Sequence, residues 1–316
     1  LKSGILKVLA YFDLFDYPVS SDEIRFMMDR HVDKKDLLCN LNELSKDKCL
    51  FQLGDFYSLS DDKALRTKRL EGNERAKPLL EKAKKIADLL SHFPYVRGIA
   101  ISGSLSKNYA DLNADIDLFI ITKANRLWIA RTFLHLLKKL TFLIGHQHWF
   151  CMNYFIDEEA LLIEEKNIFT ATELITLIPV SGEETMNRFF RVNDWAGHFF
   201  PNYGMKTTIA SRTNEKGKKV KKIIESVFNS RIWDPLDNYF EKLTTRRWAT
   251  KEKRHKLNMK GNRMGLMTGR HFSKPNPVFF QEKLLNRYRK NLEKWEEKWA
   301  EMGIQEPSSV FLKEII

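Results

Sequence analysis

The sequence predicts an α+β fold: a small helical unit closed by a hairpin, a central mixed sheet flanked by helices, and a mostly helical C-terminal region. Three observations predict it. Apolar residues recur at helical spacing in "ILKVLAYFDLFDYP" and "DKKDLLCNLNELSKD" near the N-terminus. Short apolar runs, "VRGIAIS", "DIDLFIIT" and "HWFCMNYFI", surround one strong helical pattern, "ANRLWIARTFLHLLKKLTFLI", as in a sheet layered with helices. Helical patterning then dominates from about 218 to 301, broken near Asp234-Pro235 and in "MKGNRMGLMTGRHFSKPNP". The expected organisation is 1–62 as the first unit, 63–95 as connector helices, 96–204 as the sheet domain and 205–316 as a basic helical region.

In the first unit, Pro18 stops the opening helix, and Ser20 or Ser21 is placed to cap the next one. Leu37, Leu38, Leu41 and Leu44 are read as one face of a third helix, and a Gly-Asp pair turns the hairpin in "CLFQLGDFYSLS". Three helices followed by a hairpin resemble a winged helix-turn-helix. That resemblance implies DNA contact, and the charge argues against it. Residues 1–62 hold 8 Lys/Arg against 12 Asp/Glu, whereas phosphate neutralisation supplies most non-specific DNA affinity. A protein-packing or homodimerising role fits this unit better. Residues 63–93 read as one or two connector helices, with Pro78 in the first turn of the second. Residues 167–200 read as helical and rich in aromatics.

The 316 residues carry a net charge of +12, and the excess lies at one end: residues 206–316 hold 26 Lys/Arg against 13 Asp/Glu. One reading of that excess is a solvated helical face. The other is an anionic partner such as RNA or another polyanion. Three cysteines without a CxxC pair fit reduced thiols, and a cytoplasmic location is expected. No run of about 18 apolar residues predicts a membrane span.

The chemistry concentrates in "GIAISGSLSKNYADLNADIDLFIIT". In an extended strand Asp115 and Asp117 point the same way, with Ile116, Leu118 and Ile120 opposite. Two neighbouring carboxylates stay ionised only against positive charge, and paired oxygen ligands suit Mg²⁺ or Mn²⁺. Upstream, Gly103 permits close backbone approach, and Ser104 with nearby amides and Lys107 offers a phosphate cradle.

This pattern resembles the nucleotidyltransferase superfamily related to DNA polymerase β, in its minimal branch. Gly103-Ser104 matches the turn after the first strand, and Asp115 and Asp117 match the acid–apolar–acid triplet. Lys107 stands where many members carry Arg or Lys, and Asn108 where they carry Gly, a mild change since Asn tolerates left-handed backbone. The likeness covers about residues 80–160. The order of the whole chain is also similar to bacterial members that carry an N-terminal winged helix.

The resemblance implies that Asp115 and Asp117 hold Mg²⁺ or Mn²⁺ as the metal-binding and catalytic pair. Gly103, Ser104 and Lys107 then bind a nucleoside triphosphate whose nucleoside monophosphate passes to a hydroxyl on RNA, protein or a small molecule. It also requires a third acid on "HWFCMNYFI", where Asn153 stands at about the expected place and ligates without serving as a base. Asp157 falls on the same predicted face but about 13 Å further on. The alternative function is a weak or inactive nucleotide-binding pseudoenzyme whose winged helix docks a protein partner. His146 and His148 form an H-x-H without a third ligand nearby in sequence. His255 and His271 read as surface residues, "DEEALLIEE" as a solvated loop, and Thr170 with Glu173 as part of a helix cap.

Overall fold

The computed structural model describes residues 1–142, 151–204, 221–226, 231–255, 257, 263 and 265–301. The chain is α+β, with a mixed sheet flanked by helices. It opens with α1 (Lys2–Asp13), β1 (Val19–Ser20), α2 (Ser21–Phe26), α3 (Lys34–Lys46), β2 (Phe51–Leu53) and β3 (Phe56–Ser58). The three strands pair antiparallel in the order β1-β3-β2. Ser20 is the residue that caps α2: its side chain accepts from the Glu23 amide, and the Glu23 carboxylate accepts in return from the Ser20 amide at 2.8 Å. Leu37, Leu41 and Leu44 of α3 are buried, whereas Leu38, expected on the same face, is exposed, because one position on from Leu37 turns it about 100° away from that stripe.

A single helix, α4 (Lys63–Ser91), follows, the first of the two alternatives expected there. Pro78 lies inside it rather than near a start. Proline removes one helical hydrogen bond and crowds the carbonyl four residues back. Pro78 is exposed, so water can solvate that carbonyl, while Ala76, Ala83, Ala87 and Leu90 hold the buried face continuous across the break.

The central sheet contains β4 (Val96–Ile101), β5 (Asp117–Thr122), β6 (Cys151–Asp157), β7 (Ile178–Ser181), β8 (Leu266–Gly269) and β9 (Phe272–Pro275), ordered β7-β4-β5-β6-β9-β8. Among the described residues only β5 and β6 pair in parallel, joined through α5 (Leu127–Phe142). Two strand assignments depart from the sequence reading. Ile178–Ser181, expected as helix, is the edge strand β7, where Pro179 is tolerated because an edge leaves one side unpaired. The basic C-terminal region contributes the β8–β9 hairpin to the sheet through β6. Both strands are short and weakly alternating, which hides them in a helical context.

Both sheet faces are covered. Ile99, Ile101, Leu118, Ile120 and Phe155 pack with Ala83, Leu90, Trp128 and Leu134 of α4 and α5. Ala100, Phe119, Ile121 and Ile156 pack with α6 (Ile168–Thr176) and α7 (Glu183–Val192), in a core that continues through α8 (Ala196–Phe199) into the N-terminal helices and α11 (Gln281–Glu301). The rings of Tyr11 in α1 and Tyr288 in α11 meet edge-on with centroids 5.5 Å apart. Residues 221–226 form α9. There Glu225 pairs with Arg97 at 2.8 Å, and Lys221 donates to the carbonyls of Ser91 and Val96.

On α10 (Asp234–Lys253), the buried Asp237 caps α5 by accepting from the Ile129 amide at 2.9 Å. Its other oxygen, Oδ2, has no hydrogen-bond partner among the described residues. Burial raises its pKa from the ordinary carboxylate value to about 6, against the opposing pull of the Ile129 amide and Arg126. A carboxyl that holds its proton more tightly when folded costs stability as pH rises from about 4 through about 6. Asp237→Asn keeps the cap and removes the charge. It is expected to match the parent near pH 4 and to exceed it near pH 7.5, read by urea denaturation at about those two pH values.

Candidate functional site

Strand β4 ends at Ile101, and the chain turns through Ser102, Gly103 and Ser104 into a single 3₁₀ turn, Leu105–Lys107. Gly103 has φ +69°, a backbone conformation that only glycine adopts without strain. The missing side chain matters as much. A Cβ on Gly103 would sit 2.7 Å from Oδ2 of Asp117, so the turn and this carboxylate share the space a methyl group would fill. Register explains the approach: the Ser102 amide donates to the Asp117 carbonyl at 3.0 Å, which carries the β4–β5 ladder one step past Ile101 and Leu118.

The turn is held from behind. The Gly103 carbonyl accepts from Ser106 Oγ at 2.8 Å and from Lys107 Nζ at 3.2 Å. Asn108 takes the left-handed conformation, φ 56° and ψ 39°, as expected from its sequence position. The Tyr17 hydroxyl donates to the Lys107 carbonyl at 2.9 Å, and the Ala110 amide to the Gly72 carbonyl at 3.1 Å. The N-terminal unit and α4 therefore buttress the turn. Arg69 joins them: its guanidinium, 4% exposed, bonds the Pro18 carbonyl and Glu23 and lies over the Tyr17 ring.

The predicted site residues divide clearly. Gly103 and Asp117 are in direct apposition. Ser104 is exposed at the turn, and Asp115 and Asp117 are each partly exposed. Strand β5 begins at Asp117, so Asp115 sits in the segment leading into it rather than in the strand itself. Lys107 has a partner: its ammonium pairs with Glu173 of α6 at 2.7 Å. Glu173 thus serves the turn, while the cap of α6 is Asn167 with Thr170.

The faces of β6 differ from simple alternation. Cys151 pairs with Asp117, and Tyr154 with Phe119, so β6 spends three residues where β5 spends two. A bulge of this kind reverses the side on which later residues point. Cys151 shares the Asp117 side with Tyr154 and Ile156, whereas Phe155 and Asp157 lie on the other with Met152. Asn153 falls at the bulge, and its side chain lies outside the described residues, as do His146 and His148. Asp157 is fully buried and structural: it accepts from the Asn125 and Glu159 amides and pairs with His271 at 2.9 Å. His271 is therefore a partner of the sheet and no simple surface residue, and "DEEALLIEE" begins in the core.

No family model, curated protein or solved structure matches the chain. The site has to be read from its own chemistry. Among the described residues no three His, Cys, Asp or Glu side chains cluster as a metal site. The oxygen donors that the sequence brings to the turn are the Asp117 carboxylate, which lies against Gly103, the Ser102 and Ser104 hydroxyls, and Asp115 two residues before Asp117. That set fits Mg²⁺, which keeps several waters and takes one or two carboxylates plus phosphate oxygens. No helix is long and apolar enough to cross a membrane among the described residues.

Proposed function

We propose that the chain is a Mg²⁺-dependent nucleotidyltransferase that moves a nucleoside monophosphate from a nucleoside triphosphate to a hydroxyl acceptor. The observation that carries this reading is the glycine turn fitted against Asp117, with Oδ2 in the space of the absent Cβ. A phosphate cradle and a metal-holding carboxylate in contact are what nucleotidyl transfer needs, and a purely structural strand end has no use for either. The metal, when bound, supplies positive charge to the phosphate oxygens and to the leaving group. Asp115 and Asp117 hold it, Gly103 and Ser104 orient the triphosphate, and Lys107 steadies the turn through Gly103 and Glu173. The acceptor oxygen bonds to the α-phosphorus as the bond to pyrophosphate breaks, and the hydroxyl proton passes to water.

The N-terminal unit supports a winged-helix reading through its element order and its β1-β3-β2 sheet. Its buttressing of the turn fits a docking or regulatory role better than DNA contact. A second functional reading, a nucleotide-binding pseudoenzyme, is favoured by one observation: the residue paired with Asp117 on β6 is Cys151, and no third acid joins the pair among the described residues. Release of pyrophosphate from ATP, CTP, GTP or UTP with Mg²⁺ and candidate acceptors supports the first reading. Nucleotide binding without turnover supports the second, and absence of nucleotide binding rejects both.

The basic C-terminal region places Arg246, Arg247, Lys253 and Arg254 exposed along the last half of α10 and just past its end. If RNA is the anionic partner, its binding should fall steeply as salt rises, because neutralised phosphates release counter-ions. A filter-binding series that shows no salt dependence removes RNA from this proposal.

A further inference from the structure

On the Asp117 side of the sheet lies a cavity of about 210 Å³, between β4–β6, α6 and the segment from Lys274 to Gln281. Phe119 and Tyr154 form its floor, their ring centroids 5.2 Å apart. Phe169 and Leu174 of α6 face them, and Phe280 closes one side against Phe169. Its acids are compensated: Glu165 pairs with Lys274, and Glu173 with Lys107. At one end is Ser102, which ladders with Asp117.

We propose that this cavity holds the flat, uncharged ring of a small-molecule acceptor, with the acceptor's hydroxyl at the Ser102 end beside Asp117. The ligand's role rests on the nucleotidyltransferase reading; its binding does not. Aromatic walls reward a ring that lies against them. Paired charges leave no free countercharge, so an ionised ligand would lose its hydration without compensation. The cavity reaches from Ser102 across β5 to β6 and β9, away from the Gly103–Ser104 turn on β4. An in-line displacement places the attacking hydroxyl opposite the departing pyrophosphate, so an acceptor ring in the cavity would direct its hydroxyl at Ser102 toward the turn that holds the triphosphate. The volume suits one fused ring.

Fluorescence titration of the full chain with naphthol, and with naphthoate as the anion of the same ring, tests this directly. Naphthol should bind saturably, and naphthoate about tenfold or more weakly. Leu174→Trp, which fills the cavity, and Phe280→Ala, at its exposed edge, should each weaken naphthol severalfold. Naphthol binding should persist in an Asp115→Ala/Asp117→Ala variant, so a failed nucleotidyltransferase reading leaves this result standing. The proposal is overturned if naphthol does not bind saturably, if both cavity variants bind it as the parent does, or if adenosine displaces it, which makes the cavity the nucleoside's own.

Discussion

Replacing Asp115 and Asp117 together by alanine is expected to lower Mg²⁺-dependent affinity for a nucleoside triphosphate by about a hundredfold, roughly 2.7 kcal/mol. The reason is charge. Asp115 and Asp117 are the residues that would hold a divalent cation, whose charge would offset the repulsion between phosphate oxygens, and the variant removes both. Both side chains are partly exposed, so the folded state should tolerate their removal. The variant is expected to keep the parent's far-UV spectrum and urea midpoint. Calorimetric titration with a non-hydrolysable triphosphate, with and without Mg²⁺, reads the effect. Equal affinity in parent and variant would show that the carboxylates hold no metal-nucleotide.

The second large effect is expected from Gly103→Ala. Alanine at φ +69° costs about 1–2 kcal/mol from backbone strain alone. Its methyl would also come within 2.7 Å of Asp117 Oδ2, so the carboxylate must move or the turn must open. Stability is expected to fall by about 1–3 kcal/mol, with nucleotide affinity falling alongside it. Asn108→Gly, at the neighbouring left-handed position, is the control: it relieves strain and leaves Asp117 alone. A Gly103→Ala protein that binds nucleotide as tightly as the parent would separate the turn from the site.

These predictions show how unevenly the sequence speaks. The Gly-Ser turn and the left-handed Asn108 are legible because each rests on a local requirement, backbone freedom or a tolerated φ; the expected strand start at Asp115 is not, since β5 begins only at Asp117. The role of Glu173 was not legible. Its partner Lys107 is distant in sequence, and only the packing of α6 on the sheet brings the two together. The side of β6 that faces Asp117 was misread for a related reason. Alternation assumes one residue per step, and the bulge near Asn153 inserts an extra one that becomes visible only against the register of β5.

The sequence by itself determined the α+β class, the helical face of α3, the course of β4 and β5, and the position of the turn. All of these follow from periodicity and from what single residues permit. Tertiary structure alone decided that α4 runs unbroken through Pro78, that the basic region lends a hairpin to the sheet, and that Asp157 is structural. It also decided that the N-terminal unit props up the turn through Tyr17. These are pairings between distant segments, where the free energy of burying a shared surface overrides weak local preference, and no local pattern records the partner.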